Sequence, residues 1–237
     1  MNALLTDLYE LNMAASYLRR GMTEPATFSL FVRHMPEQRG FLVAAGIESC
    51  LDLLEQLRFE EEDISYLRET LGFTARDLEA FHGLRFTGDV WAIPEGRIAL
   101  AGEPLVEVTA PLPEAQLVET LMLNQVTFET TIASTAARCV IAAGGRDLVD
   151  FAFRRTQGVE AGLEVARLSA IAGFVATSNV EAARRYGLAA AGTMAHSYIE
   201  AFPSESEAFH ASASGQILPS FRILLAAFAR RRRLKHG

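Results

Sequence analysis

"LVDFAFRRTQGVEAGLEVARLSAIAGFVATSNVEAARRYGLAAAGTMAHSY" (residues 148–198) alternates short apolar runs with longer amphipathic ones. "LVDFAF", "FVATS" and "AAAGTMA" read as strands, and "VEAGLEVARLSAIAG" and "NVEAARRYG" read as helices. Short apolar strands separated by helices predict βα units and a parallel sheet, either open or closed into a barrel. The fold class expected is therefore α/β. In both architectures functional groups collect beyond the C-terminal ends of the strands. Three stretches qualify: "DFAFRRTQG", "ATSN" and "AHSY".

Upstream of this stretch the pattern is mixed. Residues 6–20 read as a helix with Thr6 or Asp7 as its cap, a stripe of Leu8, Leu11, Ala15 and Leu18, and Gly21 to end it. "ATFSLFVR" (26–33) and "FLVAAG" (41–46) look like strands joined by the polar turn "HMPEQRG". "IESCLDLLEQL" and "RFEEEDISYLRETLG" follow as helices, and "FTGDVWAIPEG" with "EPLVEVTAPL" as a pair of β segments. Residues 111–138 form the longest helical stretch, with Pro113 and Glu114 suited to its first turn.

The bulk numbers narrow the function classes. The chain has 237 residues, 50% of them hydrophobic and 22% charged, so a sizeable core is expected and wholesale disorder is not. A net charge of −7 argues against nucleic acid and anionic membrane as partners. The charge is uneven: from His210 onward there are six Lys or Arg and no acid, against 16 basic and 29 acidic residues before it. Cys50 and Cys139 lie far apart without a CxxC partner and read as two reduced thiols on helix faces. No signal peptide and no run of the ~18 apolar residues a spanning helix needs are evident, so a cytoplasmic location is expected.

At the three strand ends the residue types point to an anionic ligand. If "DFAF" is a strand, Phe151 and Phe153 share a face and Arg154 and Arg155 follow, a pairing suited to a flat anion; core Phe with a surface Arg pair is the plainer alternative. Ser178 and Asn179 precede a short helix, where capping and anion attraction coexist. His196 stands at the third strand end with Ser197 beside it. No G-x-S-x-G elbow, Walker loop or histidine spacing suited to a metal accompanies it, and no metal ligand is assigned. The residues alone support a parallel α/β enzyme that handles an anionic, phosphorylated ligand.

Four motifs in order carry a resemblance. "LLTDLYELNMAASYL", "EPLVEVTAPLPEAQLVETLMLNQVTFETTIASTAAR", "DFAFRRTQG" and "GTMAHSYIEAF" together resemble the nicotinate phosphoribosyltransferases, over about residues 4 to 208. The resemblance implies formation of nicotinate mononucleotide and pyrophosphate from nicotinate and phosphoribosyl pyrophosphate, coupled to ATP hydrolysis, in NAD salvage. It implies that ATP phosphorylates His196, with Mg²⁺ on the departing pyrophosphate. By the same resemblance Phe151 stacks one face of the pyridine and Tyr9 of a second subunit stacks the other, in a homodimer with a shared active site. Arg154 matches a cation at the pyridine or phosphate end. Asn179 stands where nicotinamide-using relatives carry Asp, which would repel a carboxylate. Thr193 and Ser197, beside the histidine, are expected among the substrate-binding residues.

Three segments are expected: 1–140, an N-terminal α+β domain with a long connecting helix; 141–209, the first βα units of an incomplete α/β barrel; and 210–237, a basic tail outside the family. That tail reads as a truncated or frame-shifted ending, or as an amphipathic helix over Ile217 to Phe228. An incomplete barrel leaves open a non-catalytic chain that only associates with a partner, or a nicotinamide- or quinolinate-using relative.

Overall fold

The computed structural model describes residues 3–214. The chain divides into two compact units, Met1–Ile141 and Ala142–Gly237. The first opens with α1 (Leu8–Arg20), which Gly21 ends in the left-handed conformation (φ 67°), its amide bonded to the Leu18 carbonyl at 3.2 Å. The buried stripe of α1 is Glu10, Leu11, Ala14 and Ala15, whereas Leu8 is exposed. The apolar stripe expected from sequence is therefore rotated toward an acid.

Next come β1 (Pro25–Phe31), β2 (Leu42–Val43), α2 (Ile47–Glu55), α3 (Glu61–Glu69), α4 (Ala75–His82), β3 (Asp89–Ala92), β4 (Ile98–Ala99) and β5 (Pro104–Pro111). The order β1-β5-β3 makes an antiparallel sheet, and β2 pairs with β4 in a second one. The turn at 34–40 thus connects strands of different sheets. Strand alternation explains the first sheet. Phe28 faces Val108 and Leu30 faces Val106 on the core side, while Ser29 donates to Glu107 at 2.7 Å on the outer side. Phe81 of α4 is fully buried and its ring stacks on Phe59 at 5.0 Å. Cys50 is buried in α2, and burial with the negative charges of Glu129 and Glu95 pushes its thiol up to about 12.

The expected long helix is two helices, α5 (Leu112–Leu117) and α6 (Glu119–Ala143), broken at Val118 and running past residue 138. Side chains of α1 and of the segment before it explain the break. Thr6 donates to the Leu117 carbonyl at 3.3 Å, and Glu10 accepts the Thr120 amide at 3.2 Å. Each takes a backbone group that a continuous helix would have paired internally.

The second unit holds β6 (Val149–Asp150), a 3₁₀ turn (Phe153–Arg155), α7 (Val159–Ala172), β7 (Ala176–Thr177), α8 (Val180–Tyr186), α9 (His196–Glu200) and α10 (Glu205–Ser214). β6 and β7 are parallel, Asp150 opposite Thr177, and Thr177 bridges to Ala190 in the same sense. Leu163, Ala166 and Ala182 pack α7 against α8. The class is α/β, as expected.

Two strand expectations are corrected. "LVDFAF" is strand only to Asp150, because the Asp150 carboxylate accepts the Ala152 amide at 2.8 Å and turns the chain. Phe153 therefore sits in the 3₁₀ turn and does not alternate with Phe151 along a strand. "AAAGTMA" makes one bridge at Ala190. Asn179 opens α8 just beyond Thr177, so the neighbouring segment has almost no strand to pair with. The expected helix over Ile217 to Phe228 lies outside the described residues.

Candidate active site

The parallel pairing brings three connections to one edge of the second unit: 151–158 after β6, 178–179 after β7, and 191–195 after Ala190. The Ser178 amide donates to the Asp150 carbonyl at 2.8 Å and the Ala191 amide to the Thr177 carbonyl at 2.9 Å, fixing adjacent ends. Beneath them lies a polar network. Asp150, 4% exposed, accepts from the Thr177 hydroxyl at 2.8 Å, and that hydroxyl accepts the Asn179 amide at 3.1 Å. Asp150 is thus wholly committed to shaping the strand ends.

Phe151 and Phe153 are both exposed over about two-fifths of their surface, 42% and 40%. The Phe153 ring lies over Gly162 of α7, where an added Cβ would come within 2.4 Å of it. Arg154 and Arg155 extend from the same turn, and Arg154 makes no ion pair or hydrogen bond through its side chain among the described residues. An exposed aromatic, Phe151, and an unengaged guanidinium three residues on, Arg154, suit a flat anion.

Asn179 is buried and caps α8: its Oδ1 accepts the Ala182 amide at 3.2 Å, and its Nδ2 donates to the Gly162 carbonyl at 3.4 Å. The capping expected from sequence is present, and both ends of the carboxamide are engaged. His196 is the first residue of α9, after Ala195 in extended conformation. Its ring is exposed and has no hydrogen-bond partner among the described residues. A neutral imidazole nitrogen so placed is free to act as a nucleophile. Thr193 and Ser197 flank it and are exposed.

Tyr9 belongs to the first unit. It is 49% exposed on α1 and its hydroxyl donates to Glu10 at 3.1 Å. Two acids were not anticipated, Asp150 and Glu10. The signal for Glu10 was its place one helical turn before Ala14, on the buried face of α1. Among the described residues no group of three or more His, Cys, Asp or Glu is placed to hold a metal ion.

The model of the "nicotinate phosphoribosyltransferase (NAPRTase) N-terminal domain" matches residues 4–127, and that of the "nicotinate phosphoribosyltransferase (NAPRTase) family" matches residues 147–227. A nicotinate phosphoribosyltransferase of Mycobacterium tuberculosis is 45% identical over 236 residues, 100% of this chain and 50% of that protein. The likeness thus continues past residue 209, where it was expected to stop. The crystal structure of human nicotinic acid phosphoribosyltransferase superposes with a TM-score of 0.76 at 36% identity, over 83% of this chain and 40% of that one. A nicotinate-nucleotide pyrophosphorylase from Pyrococcus furiosus shares the fold, with a TM-score of 0.75 at 21% identity over 92% of this chain and 48% of that one. The chain spans about half the length of the curated relatives it matches, or less.

Proposed function

The chain belongs to the nicotinate phosphoribosyltransferase family, and we propose that it serves the transfer of a phosphoribosyl group to nicotinate in NAD salvage. The pyridine nitrogen of nicotinate bonds to C1 of the ribosyl group, the bond from C1 to the pyrophosphate oxygen breaks, and nicotinate mononucleotide and pyrophosphate form. The observation that carries this reading is His196: an exposed, unengaged imidazole opening α9, on the connection beside those that hold Phe151 and Arg154.

In this reading a ring nitrogen of His196 attacks the γ-phosphorus of ATP and ADP leaves; after the transfer, water attacks the phosphohistidine, the N–P bond breaks, and inorganic phosphate and the free imidazole are restored. The phosphohistidine places negative charge at a strand-end edge where the cations Arg154 and Arg155 also lie. Phe151 offers one face to the pyridine ring, and Arg154 pairs with its carboxylate or with a phosphate. Tyr9 of a second copy of the chain covers the other face in a homodimer, and Thr193 and Ser197 supply hydroxyls beside the phosphoacceptor. Asn179, neutral where a carboxylate would repel the acid, favours nicotinate over its amide. Mg²⁺ accompanies the pyrophosphate in such chemistry; the described residues offer it no cluster, and no step is assigned to it. No described helix is long and apolar enough to cross a membrane; the cytoplasmic location is part of the same proposal.

The test is γ-labelled ATP given to the purified chain. Acid-labile, base-stable label that disappears in His196→Ala is expected. Label retained in His196→Ala, or none in the parent chain, removes the phosphoacceptor role.

A further inference from the structure

Glu10 takes no part in the reaction just described, yet it is among the most deeply buried side chains in the first unit. It is 0% exposed. Its Oε2 accepts from the Thr6 hydroxyl. Its Oε1 accepts from the Tyr9 hydroxyl at 3.1 Å, the Thr120 hydroxyl at 2.8 Å and the Thr120 amide at 3.2 Å. The Thr120 hydroxyl also lies 2.9 Å from Asp7, so one proton is shared between two acids. Thr6, Asp7, Tyr9 and Glu10 of "TDLYEL" therefore all converge on the first turn of α6 or the end of α5.

A carboxylate is well placed there. The first amides of α6 lack intrahelical partners, and the helix dipole favours negative charge at its N-terminus. The Tyr9 hydroxyl is bound to that buried anchor while about half of the side chain stays exposed. An untethered tyrosine on a helix surface samples several rotamers, and a ligand stacking on it would have to freeze one of them. A charge-assisted O–H to carboxylate bond removes that cost in advance. Consistent with this, burial, then the hydrogen bond to Glu10 and its charge, hold the Tyr9 phenol above its ordinary range; Glu119 adds negative charge and Thr120 opposes.

We propose that Glu10 is the positioning residue of Tyr9, tying the phenol to the N-terminus of α6 so that one exposed ring face is presented to a flat pyridine carboxylate. The inference rests on the reading of Tyr9 as a ring-stacking group.

Two measurements test it on the full chain. In the first, the five tyrosines are labelled with ¹³C at Cζ, and the Tyr9 line is identified by its loss in Tyr9→Phe. It titrates above the ordinary phenol range in the parent and moves down toward about 10 in Glu10→Gln; an unmoved line overturns the tether. In the second, Tyr9→Phe and Glu10→Gln each raise KM for nicotinate roughly tenfold with kcat and the KM for phosphoribosyl pyrophosphate little changed. The double variant is no worse than the more affected single one, because both cut one bond. Additive losses, or an unchanged nicotinate KM in Tyr9→Phe, overturn the proposal. A purely structural acid would lower the melting temperature without separating the two KM values. Should Glu10→Gln fail to fold, Tyr9→Phe breaks the same bond from the exposed side and decides alone. A parent chain without turnover refutes the functional reading instead, and the titration then judges the tether by itself.

Discussion

At Asn179 a single buried carboxamide caps α8 and, in the proposed reaction, adds no charge of its own to the field at the ligand carboxylate. The two roles separate by substitution. Asn179→Ala removes the acceptor for the Ala182 amide and is expected to lower stability by about 1–2 kcal/mol, measured by denaturant unfolding. Asn179→Asp keeps the cap acceptor but loses the donor to the Gly162 carbonyl, and it is expected to shift preference from nicotinate toward nicotinamide. A stable Asn179→Asp protein with unchanged acid-to-amide preference would leave Asn179 a capping residue only. Residues whose place depends on local pattern were legible in the sequence: Asn179 before a helix and Gly21 after one. Asp150 and Glu10 were not. The helical period places Glu10 on the buried face of α1, but the hydrogen-bond partners of the two acids, Thr177 and Thr120, lie 27 and 110 residues away, and no local period encodes them.

At the scale of elements, the turn after β6 depends on a glycine in the next helix. A methyl group at Gly162 would meet the Phe153 ring at 2.4 Å, so Gly162→Ala must displace that ring. Alanine favours the helix by about 1 kcal/mol, so the fold is expected to persist while the turn bearing Phe151 and Arg154 moves. We expect kcat/KM for nicotinate to fall roughly 10- to 100-fold with little loss of melting temperature. Unchanged kinetics would detach Phe153 and its turn from the site. Most helices and strands of the first unit followed from apolar periodicity, α4 and β4 excepted, as did the alternation of β6, α7, β7 and α8 in the second. The lengths of the elements did not. α5 and α6 separate because Thr6, just before α1, and Glu10 within it reach across, and the segment at 189–195 is one bridge long because Asn179 stops β7.

On the scale of the whole molecule, family membership rests on matches that run through both units, from residue 4 to residue 227. The stability of the first unit carries a pH signature of its own. Asp77 of α4 is almost fully buried and bonded to Arg19 of α1 at 2.7 Å. Burial opposes its charge, but the Thr74 hydroxyl and amide and the Arg19 guanidinium outweigh it and hold the carboxyl below its ordinary range. A carboxyl lowered in the folded state stabilises fully above its unfolded value of about 3.9 and progressively less as pH falls through the folded value. Asp77→Asn is therefore expected to melt below the parent at pH 7, with the gap closing below about pH 4. A gap constant down to pH 2 would contradict this. The central claim is the reaction itself. Labelled nicotinate, phosphoribosyl pyrophosphate, ATP and Mg²⁺ are incubated with the purified chain and the pyridine products separated. The account predicts labelled nicotinate mononucleotide, lost in His196→Ala; recovery of nicotinate unchanged by the parent chain would contradict it.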